Sequence, residues 1–75
     1  MDYKFVIINK KTNKPVQNWS FAQKKHVVYC ETLPWAMKFE KGDGALRTAK
    51  YLMKNFPGTE LVTRKVSIGV TIKLV

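Results

Sequence analysis

His26 and Cys30 are the single histidine and the single cysteine of this 75-residue chain. A thiol beside an imidazole is a nucleophile in waiting. Four residues apart on an extended strand, the two would share a face yet stand about 13 Å apart, too far for proton transfer. The plainer reading makes Cys30 a small core residue and His26 a polar strand end. Only five acids are present. None form a general acid and base pair or a cage of oxygen ligands. A zinc site needs about four ligands of His or Cys type, and two exist. Gly42-Asp43-Gly44 looks like a fragment of a phosphate loop, but no Gly-Lys-Ser/Thr follows it. Asp43 reads better as a helix cap. Asn18-Trp19-Ser20 fits the glycosylation acceptor pattern, which without a secretory leader is inert. The expectation is a non-catalytic protein with no cofactor and no metal.

Charge is the stronger chemical signal. Fourteen Lys and Arg against five Asp and Glu leave a formal net charge of +9. Lys10, Lys11 and Lys14 cluster in one polar stretch, and Lys24 and Lys25 in another. Arg47, Lys50 and Lys54 recur at i, i+3 and i+7 with Tyr51 beside them, and Arg64 and Lys65 follow. Such groups attract phosphates and release counterions on binding. Tyr51, Trp19 or Trp35, if exposed, could stack on unpaired bases. The same cations also fit a plain solubilising role. Lys50 and Lys54 complement a helix C-terminus as well, and only Arg47 and Arg64 carry the forked guanidinium suited to phosphate and guanine.

The elements that must hold these side chains follow from periodicity. Tyr3 to Asn9 is β-branched and aromatic and reads as a strand, with Tyr3, Phe5 and Ile7 on one face and Val6 and Ile8 on the other. That pattern suits a strand covered on both sides. Lys10 to Pro15 reads as a turn, Asn13 tolerating unusual backbone angles. Val16 to Phe21 could fold back on the first strand as a hairpin, and His26 to Cys30 forms a third strand. Thr32-Leu33-Pro34 interrupts the chain. Trp35 to Phe39 alternates as a short strand would, although the same spacing could start a helix. Asp43 is read as the N-cap of a helix from about Gly44 to about Asn55. Ala45, Ala49, Leu52, Met53 and Phe56 give this helix one apolar stripe, and Phe56-Pro57-Gly58 stops it. From Val62 the even positions Val62, Val66, Ile68, Val70, Ile72 and Leu74 are apolar, Arg64 being the one exception, a pattern for a strand with one face in water. Glu60 to Leu74 fully extended would span roughly 45–50 Å, too long for a compact domain of this size. The segment must bend, with Gly69 the best place, turn back near Ser67, or project to pair with another molecule. A bent strand or two short strands are expected.

Together these elements predict one domain over residues 1–75. Its class is α+β: a small antiparallel sheet with one amphipathic helix on one face, in the order β-β-(β)-α-β(-β). At 45% hydrophobic and 25% charged, the chain has too much apolar material for disorder. No run approaches the 18 to 20 or so apolar residues of a membrane span. A lone cysteine and no apolar leader suggest the reduced cytoplasm.

Phe5-Val6-Ile7 followed by Asn9, Thr12 and Lys14, then Ala36 to Phe39, Ala45, Ala49, Leu52 and Pro57-Gly58, resembles small accessory proteins encoded by bacteriophages and mobile elements. The resemblance covers most of the chain. It implies a non-catalytic protein acting on host machinery or phage DNA metabolism inside a bacterial cell, and it transfers no site residue. Anti-CRISPR proteins are one group of such inhibitors. Many imitate DNA and are acidic, whereas this chain is basic. Two functions are therefore expected. The first is binding of nucleic acid, or of a complex containing it, through Lys10, Lys11, Lys14, Lys24, Lys25, Arg47, Lys50, Tyr51, Lys54, Arg64 and Lys65. The alternative is an inhibitor or adaptor that docks on a protein through an edge strand or an acidic surface, with a homodimer through the C-terminal strand as a variant.

Overall fold

The computed structural model of the chain describes residues 2–22, 25–68 and 73–74. It is an α+β fold of two small antiparallel sheets and one helix, 39 × 23 × 21 Å. The elements are β1 (Asp2–Asn9), β2 (Val16–Ser20), β3 (His26–Tyr29), a 3₁₀ turn (Leu33–Trp35), α1 (Gly42–Asn55), β4 (Leu61–Ile68) and β5 (Lys73–Leu74). No helix is long and apolar enough to cross a membrane among the described residues.

β1 pairs along its whole length with β4, in a register running from Asp2 opposite Ile68 to Asn9 opposite Leu61. The expected hairpin between the first two strands is therefore not the main pairing. β1 meets the β2 end of the chain only at a bridge from Ile8 to Pro15, while β2 pairs with β3 in a sheet of its own. The Pro15 carbonyl accepts from the Cys30 amide at 2.9 Å, so the polar edge of this residue serves the β3 side. Asn9 instead organises the connection. Its Oδ1 accepts from the amides of Lys11 and Thr12, and Asn13 adopts the left-handed φ of 62°. Asparagine is among the few residues that take this conformation at small cost.

The alternation in β1 sends its residues into two separate cores. Ile7 joins Val16, Ala45, Ala49, Leu52, Phe56 and Leu61 beneath α1, with Phe5 packed at the margin. Val6 and Ile8 join Cys30, Ala36 and Val66 on the opposite face, covered by the segment that follows β3. The strand is buried on both sides, as its composition suggested. β4 departs from expectation: its even positions Val62 and Val66 pack under the Cys30–Ala36 segment, while Leu61 on the odd face lies under the helix. Neither face is simply turned to water over that stretch.

Two further local expectations change. The helix starts at Gly42, with Lys41 as N-cap and no side-chain cap, so Asp43 sits in the first turn rather than ahead of it. Gly42 lies against β1, where a Cβ would stand 3.3 Å from a ring carbon of Phe5. A glycine there lets the helix begin two residues earlier while closely packed. Asp43 still opposes the positive end of the helix dipole. Trp35 to Phe39 is neither strand nor α-helix. Leu33–Trp35 form the 3₁₀ turn, the Met37 amide donates to the Val16 carbonyl of β2 at 3.0 Å, and Phe39 exchanges backbone hydrogen bonds with Phe5 of 2.9 and 2.8 Å. Trp35 is 70% exposed, so it does not serve the core.

At the C-terminus, β5 pairs antiparallel with β4 at Val66 and Ser67. The chain thus reverses and forms two strands rather than one. The expected bend at Gly69 lies outside the described residues.

Candidate functional site

α1 sorts its side chains sharply. Ala45, Ala49 and Leu52 are buried, while Arg47, Lys50 and Lys54 are exposed along the opposite ridge. No ion pair or side-chain hydrogen bond engages these three cations among the described residues, and neither described ion pair involves them.

An aromatic border runs beside the ridge. Tyr51 is 46% exposed, and its ring centroid lies 6.2 Å from that of the half-buried Trp19 on β2. Toward the helix C-terminus, Phe21 (49% exposed) stacks on Phe56 at 5.2 Å. Lys25 spans the same pair, its Nζ 5.5 Å from the Phe21 ring centre and 5.6 Å from that of Phe56. The β2–β3 sheet and α1 thereby assemble Lys25, Arg47, Lys50, Tyr51 and Lys54 of the sequence-derived set on one side of the molecule. Trp19 joins them, as does Phe21, which sequence reasoning read only as the end of a strand. Its signal was present: an aromatic at the end of β2, followed by lysines, with nothing in the alternation to bury it.

The other members of that set lie elsewhere. Lys10 and Lys11 are exposed in the β1–β2 turn, where the Lys10 amide donates to the Glu60 carbonyl at 2.9 Å. Lys14 is held by Glu31 at 2.9 Å, at the end of the chain segment covering the far face of the sheet. Consecutive strand residues point to opposite faces, so Arg64 and Lys65 cannot act on one surface. Arg64 donates to the Thr63 carbonyl, and Lys65 lies over the Tyr3 ring at 4.4 Å. Lys24 lies outside the described residues.

A groove of about 300 Å³ opens between β3 and the end of α1, lined by Lys25, His26, Val27, Tyr29, Asn55, Phe56, Pro57 and Thr59. A second depression of about 430 Å³ lies at the helix start, between Phe39 and Arg47, and contains Glu40, Lys41 and Asp43.

Cys30 is buried, and its thiol donates toward the carbonyls of Thr32 at 3.3 Å and Pro15 at 3.6 Å. Burial pushes the thiol pKa upward, more than the Thr32 hydrogen bond and Lys38 lower it. A protonated, enclosed thiol is a poor nucleophile. His26 is exposed on β3, whereas Cys30 is enclosed beyond the end of that strand. No group of three or more His, Cys, Asp and Glu suited to a metal ion occurs among the described residues. Compared with known proteins, the chain matches no family model, no curated protein and no solved structure.

Proposed function

We propose that this protein binds nucleic acid through the outer face of α1, with Arg47, Lys50 and Lys54 on phosphates and Tyr51 and Trp19 beside them. The observation that carries this reading is the row of exposed cations that form no ion pair among the described residues, flanked by partly exposed aromatic rings. Lysine and arginine on phosphate supply affinity without sequence choice. The aromatic border adds base stacking, which is available only where bases are unpaired.

The test is binding of labelled oligonucleotides by fluorescence anisotropy across a salt series. Each phosphate contact on a single strand contributes about 0.7 to the slope of log K against log salt. The triple variant Arg47→Ala, Lys50→Ala, Lys54→Ala should lower that slope by about 2, while alanine keeps the helix intact. An unchanged slope and affinity, with the helix still folded by circular dichroism, would rule the ridge out.

A second reading is favoured by one feature of the sheet. Among the described residues, β5 pairs with β4 only at Val66 and Ser67, so Leu61 to Lys65 have no strand partner on that side. A protein partner could add a strand there. Arg64 and Lys65 on this stretch discourage a second basic copy, which favours an acidic partner over a homodimer. The double variant Arg64→Asp, Lys65→Asp tests it: capture of an acidic protein partner should be lost on this reading, while oligonucleotide binding through the α1 ridge is retained.

A further inference from the structure

We infer that the groove between β3 and the last turn of α1 lodges one unpaired nucleobase, with Lys25 at its mouth on the adjoining phosphate. This rests on the nucleic-acid reading above and adds to it the class of strand and the place where a base is held.

The groove is continuous with the ridge. Lys25 lines it and lies over the Phe21 and Phe56 rings, and Phe56 and Asn55 belong to the turn that ends the helix carrying Lys54. Its volume of about 300 Å³ is at the small end of the range of about 300–1,000 Å³ typical of ligand pockets. That suits a single planar ring system. Val27, Phe56 and Pro57 supply apolar surface for the faces of such a ring.

Its rim supplies groups that read a base edge. Asn55 donates one N–H to the Tyr51 carbonyl at 2.8 Å. Among the described residues its amide oxygen and second N–H take no other hydrogen bond and remain for a ligand. No hydrogen bond from the Thr59 hydroxyl is found among the described residues, and the Tyr29 hydroxyl accepts from Asn9 at 3.0 Å. The last helical turn also leaves backbone carbonyls without intrahelical partners, acceptors for the amino group of a base.

Charge separates this groove from the other depression. None of its eight lining residues is Asp or Glu, and Lys25 stands at its edge. The depression at the helix start sets two carboxylates, Glu40 and Asp43, beside Lys41 and Arg47, so its charges largely cancel. A flat, polar, heteroaromatic ring tied to an anion matches the first groove better than the second.

The experiment is an amide chemical-shift titration with three probes: a ten-nucleotide single strand, the duplex of the same sequence, and inorganic polyphosphate. The single strand should shift the amides of Val27, Asn55 and Thr59 together with those of Arg47, Lys50 and Lys54. Duplex and polyphosphate, which offer no free base, should shift only the ridge. In parallel, Lys25→Ala and the double variant Asn55→Ala, Thr59→Val should each lower single-strand affinity about 5- to 10-fold and duplex affinity less than twofold. If the single strand shifts only the ridge, or polyphosphate shifts the groove equally, the groove assignment is overturned while the ridge reading stands. If no probe shifts the ridge at low salt, both fall.

Discussion

The two sides of the β1–β4 pair carry cations in different circumstances. On the side covered by the segment after β3, the cations have close local partners. Lys4 pairs with Glu40, Lys14 with Glu31, and the Lys38 ammonium donates to the carbonyls of Pro34 and Ala36 at 2.8 and 3.0 Å. On the helix side, Arg47, Lys50 and Lys54 are exposed and make no ion pair among the described residues, and Lys25 and Lys65 lie over aromatic rings. Positive charge is therefore used on one side to tie down an irregular segment. On the other it is left accessible. Net charge alone does not reveal this division, because the positions of very few acids decide it.

The sharpest way to break the comparison is through the two cores. Leu52→Ala, in the helix-side cluster where Leu52 is fully buried, should cost about 2–5 kcal/mol. For so small a domain that is a large part of the total stability. Val66→Ala on the other side removes less volume and should cost less. Urea unfolding of both variants checks the order, and a larger loss for Val66→Ala would mean that the irregular cover, not the helix, anchors the fold.

A smaller effect is expected at the turn after α1. Gly58 has a φ of +89° with open space around it. Gly58→Ala should therefore destabilise by about 1–2 kcal/mol through backbone strain alone, read as a lowered Tm. No change would show that this turn relaxes and does not fix where the helix stops.

Cys30 offers a pH-dependent probe of the irregular cover. Burial raises the folded-state pKa of the thiol, so the folded state prefers the protonated form. Its contribution to stability is fully present below the unfolded value of about 8.5 and is lost as pH climbs from there through the folded value. Iodoacetamide at pH 8.5 should alkylate the native protein much more slowly than the unfolded chain. Equal rates would mean that the segment over Cys30 opens freely.

The smallest effect belongs to the Lys14–Glu31 pair, whose side chains are largely exposed. Such pairs contribute about 0–1 kcal/mol. Glu31→Gln should barely move the Tm and, by freeing Lys14 on the far side, should leave oligonucleotide affinity unchanged. Tighter binding in that variant would show that the two sides act together.

Much of the fold was legible in local pattern. The stripe of Ala45, Ala49, Leu52 and Phe56 located the helix because a period of 3.6 admits one buried face. The two-sided composition of Tyr3 to Asn9 signalled a strand with cover on both faces. Asn13 marked its turn for a reason of backbone sterics. The helix ridge of the candidate site was equally readable, since it is the complement of the apolar stripe. The start of the helix was not. Asp43 satisfied the chemistry of a cap, but close packing of Gly42 on Phe5 moved the boundary, and that contact joins residues far apart in sequence.

By itself, then, the sequence determined what local geometry controls: element types, the apolar and basic faces of α1, the left-handed turn at Asn13 and the excess of positive charge. Tertiary structure alone decided that β1 pairs with β4 rather than β2, that the Cys30–Ala36 segment closes the second face, and that Trp19, Phe21 and Lys25 come to rest beside the helix. Those outcomes depend on which apolar surfaces exclude water from one another. Burial is non-directional and carries no sequence spacing of its own, so periodicity shows that a face must be covered but not by what.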